Sequence, residues 1–117
     1  MDDIIASARE LGKKIAAHPR CVDFMAAARA VAEDKEAQAI LRAYQEQTAR
    51  LQQLEASGRP IEPADKHKLE ECRVALAGND KLKALLRYQA NYLEMMNRIN
   101  QAMDEAVSAL SAGAASP

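Results

Sequence analysis

The feature that most limits what this chain can fold into lies near its C-terminus. From Asp80 to Ala112 there is no proline and no glycine, and Leu82, Leu85, Gln89, Tyr92, Met96, Ile99, Met103, Ala106 and Leu110 recur at alternating spacings of three and four. That alternation is the heptad pattern of a helix with one apolar seam, and it is incompatible with a strand, whose side chains alternate with a period of two. Leu86, Leu93 and Val107 widen the seam on one shoulder, and Tyr88, Met95, Ala102 and Ala109 widen it on the other. At 1.5 Å per residue, a helix of about 33 residues is roughly 50 Å long. A compact monomer of this chain length has a diameter of only about 35 Å. The shorter helices can cover part of the seam, so Leu82 to Leu93 is expected to pack within the chain. Met95, Met96, Ile99, Met103, Val107 and Leu110 are expected to form an oligomer interface, most simply a homodimer closed by two-fold symmetry.

Punctuation divides the rest of the chain into four more helices. Asp2 and Asp3 suit a helix start, and Ile4, Ala8, Leu11 and Ile15 repeat on one face up to Ala17. His18-Pro19 breaks that helix, because proline pushes the residue before it out of the α region while itself fitting a first turn. A second helix from Pro19 to Ala32 carries Val22, Met25, Ala28 and Val31. Asp34 then caps a third, which runs to about Ser57 with Ala37, Ile40, Tyr44, Gln47, Leu51 and Leu54 in a heptad-like row beside Leu41. Gly58 stops it, Pro60 prevents continuation, and Pro63 opens a fourth helix that reaches about Ala77 with Leu69, Cys72, Arg73 and Leu76. Gly78-Asn79 ends that helix and caps the long one.

Composition agrees with this reading. Aromatic residues make up 3% of the chain and hydrophobic residues 49%, with Ala, Leu, Glu, Gln, Lys and Arg prominent, which favours helices over sheets. The expected fold is all-α, a five-helix antiparallel bundle with a long C-terminal helix, dimerising through its long helices. Residues 1–112 form its single domain and 113–117 a flexible tail. Sixteen basic against seventeen acidic residues give a net charge of -1, so no global field draws nucleic acid or an anionic membrane. No apolar run approaches the roughly 20 residues that span a bilayer, and the acidic N-terminus lacks the layout of a signal peptide. Membrane insertion is not expected, and a cytoplasmic location is. Cys21 and Cys72 stand far apart and in no C-x-x-C pair, which points to reduced, buried thiols.

Groups that could carry catalysis are sparse. His67 with Glu70 and Glu71 puts an imidazole and two carboxylates on one helix face, but a two-metal bundle needs matching Glu and Glu-x-x-His sets on other helices, and none is present. A solvated charged face is the simpler expectation. His18-Pro19-Arg20-Cys21 brings an imidazole and a thiol to a helix start, and is expected to be a helix junction. Lys13-Lys14, Lys66 with Lys68, and Lys81 with Lys83 and Arg87 are interleaved with acids and lack the aromatic platform of a single-strand binder, so direct nucleic-acid binding is not expected. The polar face of the long helix mixes Glu94, Arg98, Asp104 and Glu105, unlike the basic face of a helix that lies on a membrane. No catalytic, cofactor-binding or metal-ligating residues are expected.

The order of these motifs carries a family resemblance. Ala8-x-x-Leu11-Gly12 with Ile15, Asp34-x-x-Ala37-x-x-x-Leu41 with Tyr44-Gln45, Gly58-x-x-Ile61, Asn79 before the long helix, and Tyr92 through Ile99 together resemble the bacterial YlbF/YmcA family, from about residue 2 to residue 110. The resemblance implies a small cytoplasmic helical protein that oligomerises through its long helices and has no established enzymatic activity. It also implies a regulatory setting. Two members of that family regulate competence, biofilm formation and sporulation, joined with a third protein in a complex that assists an endoribonuclease in processing messenger RNA. That complex is associated with iron-sulfur clusters, and its members carry closely spaced cysteines near the C-terminus. This chain has no cysteine after Leu110, so the resemblance transfers the fold and the oligomer and not the cluster. The expected function is a homo-oligomeric regulatory adaptor with an as yet unidentified protein partner. An RNA-associated accessory factor is the alternative, and a metal-binding helical-bundle enzyme the more distant one.

Overall fold

The computed structural model describes residues 1–115. It contains five helices, α1 Asp2–Ala17, α2 Pro19–Ala32, α3 Lys35–Ala56, α4 Pro63–Ala77 and α5 Asp80–Ala115, and no strand among the described residues. The all-α, five-helix architecture is the expected one. Helix α5 runs three residues past the expected boundary at Ala112, and residues 116 and 117 of the expected tail lie outside the described residues.

Each break has a local cause. His18 is extended, at φ -72° and ψ 139°, as a residue before proline must be. Its Nδ1 accepts the backbone N–H of Arg20 at 3.1 Å, so the imidazole caps the start of α2. Gln38 Nε2 donates to the Ala32 carbonyl and ties the end of α2 to the start of α3. Asp34 caps α3 by accepting the N–H of Ala37 at 2.9 Å. At the other end of α3, Gly58 takes the left-handed conformation (φ 72°), Arg59 N–H donates to the Leu54 carbonyl at 2.9 Å and Gly58 N–H to the Glu55 carbonyl at 3.2 Å. These paired bonds satisfy carbonyls that the helix end leaves open, and they need a residue without a Cβ at the turn. Asn79 caps α5 by accepting the N–H of Leu82 at 3.0 Å.

The chain divides into two compact units, to both of which α2 and α5 contribute. The first, Met25–Arg87, contains α3 and α4 and a core of Val31, Ala37 and Leu82, against which Ile40, Leu41, Leu76 and Leu85 pack. The end of α2, the start of α3, the end of α4 and the start of α5 all meet there. Leu82 is 1% exposed, so burying it contributes roughly 2 kcal/mol of hydrophobic stabilisation. Ala37 is wholly buried in the same cluster. Helices α3 and α4 form a packed hairpin. Gln47 is buried on α3, and its Nε2 donates to the Asp65 carbonyl in the first turn of α4 at 2.9 Å, while Arg50 Nε lies 3.2 Å from Asp65 Oδ1.

The second unit comprises residues 1–24 with the chain from Tyr88 onward. Phe24 of α2 stacks on Tyr92 of α5, with ring centroids 5.0 Å apart and an interplanar angle of 28°. Arg20 donates from a terminal guanidinium nitrogen to the Asn91 carbonyl at 3.2 Å. Helix α1 buries none of its residues; Leu11 and Ile15 are half-buried, while Ile4 is exposed.

Candidate interaction surface

Burial along α5 falls away from its N-terminal end. Leu82 is buried and Leu85, Tyr92, Met95, Met96 and Ile99 are half-buried, while the shoulder residues Leu86 and Leu93 are exposed. From Asn100 to Ser111 every residue is exposed. The heptad pattern nevertheless continues through this stretch, and Met103 is 46%, Val107 65% and Leu110 77% exposed. Three of the six expected interface residues therefore lie open to solvent. The other three, Met95, Met96 and Ile99, are partly covered. Each large apolar side chain left in water forgoes roughly 1.5–3 kcal/mol of the stabilisation that full burial gives.

Where Met95 and Ile99 are partly covered, the start of α2 and the middle of α5 enclose an open cleft. Its volume is about 320 Å³, and it is lined by His18, Arg20, Met95, Arg98, Ile99 and Ala102. One wall is charged. Glu94 lies 3.6 Å from a terminal nitrogen of Arg20 and 3.3 Å from Nε of Arg98, so two guanidinium groups share one carboxylate. His18 is oriented by the N–H of Arg20 on its Nδ1, which in the neutral ring leaves the proton on Nε2. The floor is apolar. The pattern read on α5 names Met95 and Ile99, but Arg20 and His18 come from a helix junction some 75 residues earlier, and no spacing rule connects the two segments.

The remaining candidate groups are not assembled into a site. His67 Nε2 lies 3.1 Å from Glu71 Oε1 on an exposed face of α4, as the solvated-face reading expects. Cys21 and Cys72 are both free and buried, as expected, one in each unit. An iron-sulfur cluster is held by four cysteine thiolates as a rule, and the two buried thiols of this chain are too few for one. Among the described residues there is no group of three or more His, Cys, Asp or Glu side chains that could hold a metal ion, and no helix long and apolar enough to cross a membrane.

Five helices among the described residues, with apolar side chains left exposed along the last of them, define a class of small all-α protein. The chain belongs to the family described as control of competence regulator ComK, YlbF/YmcA, whose pattern matches residues 4–108. No curated protein matches it. Among solved structures it is similar to RicA of Bacillus subtilis, crystallised in complex with RicF, with 18% sequence identity over 93% of this chain and 96% of that one and a TM-score of 0.73. That likeness establishes a shared fold.

Proposed function

We propose that this chain is a regulatory adaptor without catalytic activity, which works in the cytoplasm by associating with itself and with a protein partner through α5. The observation that carries this reading is the persistence of the heptad pattern across a stretch where every residue from Asn100 to Ser111 is exposed. Met95, Met96, Ile99, Met103, Val107 and Leu110 form the self-association surface. Methionine's flexible thioether suits a surface that accommodates more than one apolar partner. Membership of a family described as controlling a competence regulator supports the regulatory role, and the crystallisation of RicA with a second protein supports association as the mode of action.

Light scattering on the purified full chain at tens of micromolar tests the self-association. A dimer or larger mass is expected, and a monomer mass at all concentrations overturns it. Affinity capture from the native cell tests the partner. A stoichiometric second protein whose capture is abolished by Met103→Lys supports the adaptor reading, and recovery of the chain alone counts against it.

A further inference from the structure

We infer that the C-terminal end of α3 carries a binding site for a small phosphate ligand, either inorganic phosphate or the phosphate monoester of a compact polar molecule. Arg50, Gln53, Ser57 and Arg59 hold it. The site lies wholly within the Met25–Arg87 unit and does not depend on the self-association proposed above.

Local sequence builds the site. Arg50, Gln53, Leu54 and Ser57 recur at spacings of three and four from one another, so they share one face over the last turns of α3 and its cap. Past the helix end, Gly58 takes the left-handed conformation that turns the chain, and the Arg59 N–H returns to the Leu54 carbonyl at 2.9 Å. The turn sets the Arg59 side chain beside that face. With Leu54, the four polar side chains line a hollow of about 270 Å³.

Cations at a helix C-terminus ordinarily complement the open carbonyls of the last turn. Here those carbonyls are already engaged. The Gln53 carbonyl accepts the Ser57 N–H at 3.0 Å, and the Glu55 carbonyl accepts the Gly58 N–H at 3.2 Å. The Leu54 carbonyl accepts both the Arg59 N–H and, at 3.1 Å, the Ser57 hydroxyl. Arg50 Nε lies 3.2 Å from Asp65 Oδ1, and the bond from Gln47 to the Asp65 carbonyl fixes that residue in turn. The Arg50 guanidinium is thereby oriented with its terminal nitrogens left over. Among the described residues, the side chains of Gln53 and Arg59 hydrogen-bond to nothing.

Two guanidinium groups, an amide and a hydroxyl, with one carboxylate in contact, leave excess positive charge and spare donors, which match an oxyanion. Ser57 can turn its proton to a ligand, because the Leu54 carbonyl keeps the Arg59 N–H. Phosphate presents three strong acceptor oxygens, enough to engage both arginines at once, where a carboxylate presents two. Size and lining narrow the class further. Pockets for drug-sized ligands span roughly 300–1,000 Å³, and this hollow falls just below that range with one apolar residue and no aromatic one in its lining. It suits a phosphate on a few carbons and offers no platform on which a base could stack.

Amide-resolved NMR titrations of the full chain at constant ionic strength, with inorganic phosphate and with glycerol 3-phosphate as probes, test the site. Saturable shifts centred on Gln53 to Arg59 are expected, with a dissociation constant of about 1 mM or below. Tighter binding of glycerol 3-phosphate marks a monoester as the ligand, and equal or weaker binding marks the free anion. Arg59→Ala should weaken binding at least about tenfold, and Arg59→Lys by less, since a point charge replaces a fork. The Arg59 side chain makes no bond in the folded chain, so both variants should melt like wild type. Arg42→Ala, more than two turns before Arg50 on the exposed side of α3, should bind within about twofold of wild type. No saturation by about 10 mM of either probe overturns the proposal. So does an Arg59→Ala variant that titrates like wild type, or an Arg42→Ala variant that loses as much as Arg59→Ala.

Discussion

Lys81 Nζ lies 2.8 Å from Asp34 Oδ2, joining the first turn of α5 to the cap of α3 across 47 residues of sequence. The other carboxylate oxygen of Asp34 accepts the N–H of Ala37. The hydrogen bond from Lys81, followed by that from Ala37, holds the Asp34 carboxyl below its ordinary value of 3.8. A carboxyl whose pKa is lowered by folding stabilises the folded state above its unfolded pKa, and that contribution is lost as pH falls through the lowered folded value. Asp34→Ala should therefore lower Tm by roughly 5 °C at pH 7. The gap to wild type should be constant above about pH 5 and close progressively below pH 3.8. Asp34→Asn keeps a capping oxygen and should show a smaller, less pH-dependent drop. Parallel thermal melts from pH 7 to pH 2 check this, and a gap that widens on acidification refutes it.

How much of this could be read from the sequence depends on the range of the interaction. Asp34, Gly58, Pro63 and Asn79 act within a few residues of themselves, so the helix ends follow from local chemistry, and observed and expected boundaries agree within a few residues. The heptad row on α3 included Gln47 among apolar positions, and the structure buries it there. Its partner, the Asp65 carbonyl, was not readable, because the α3–α4 loop gives no register. The same limit applies to the Lys81–Asp34 pair and to the cleft around Arg20 and Arg98, which depend on how helices distant in sequence come together. The sequence marks His18 only as a junction, because imidazole is not among the usual capping groups, and its capping bond to the Arg20 N–H emerges from the structure alone.

The two glycines Gly58 and Gly12 should respond in opposite directions to alanine. A Cβ at either position meets no heavy atom within 4 Å, so crowding within the chain plays no part. Gly58 sits at φ 72°, where an L side chain is strained, and Gly58→Ala should destabilise by about 1 kcal/mol. Gly12 lies inside α1, and Gly12→Ala should stabilise by about 0.5–1 kcal/mol through helix propensity. Urea unfolding of both variants provides the measurement. Should Gly12→Ala prove destabilising, another chain must approach α1 at that point.

Gln47 offers a test of the α3–α4 contact. Replacing it with leucine removes the bond to the Asp65 carbonyl while filling similar space, and should destabilise by about 1–2 kcal/mol. Gln47→Glu should be worse at pH 7, because it turns a buried carboxylate toward a carbonyl oxygen. Burial raises the folded pKa of the new carboxyl, so the protonated, donating form is favoured at low pH and stability is lost as pH rises through that value. The deficit of Gln47→Glu relative to wild type should thus shrink toward pH 4. A deficit that is independent of pH between 4 and 7 would show that position 47 reaches solvent when ionised.

Exposed apolar residues on α5 fall into two groups, and substitution should separate them. Leu86 is 44% exposed and Val107 is 65% exposed, yet they lie in different units, and only Val107 belongs to the stretch with no covered residue. If that stretch is where copies meet, Val107→Glu must desolvate a carboxylate at each symmetry-related contact. It should weaken self-association at least about tenfold while leaving helical content unchanged. Leu86→Glu should leave the dissociation constant within about threefold of wild type, since surface changes outside an interface have small effects. Sedimentation velocity over a concentration series distinguishes the two. A reversal, with Leu86→Glu dissociating the oligomer and Val107→Glu leaving it intact, would move the interface to the Met25–Arg87 unit and leave the open end of α5 for a different protein.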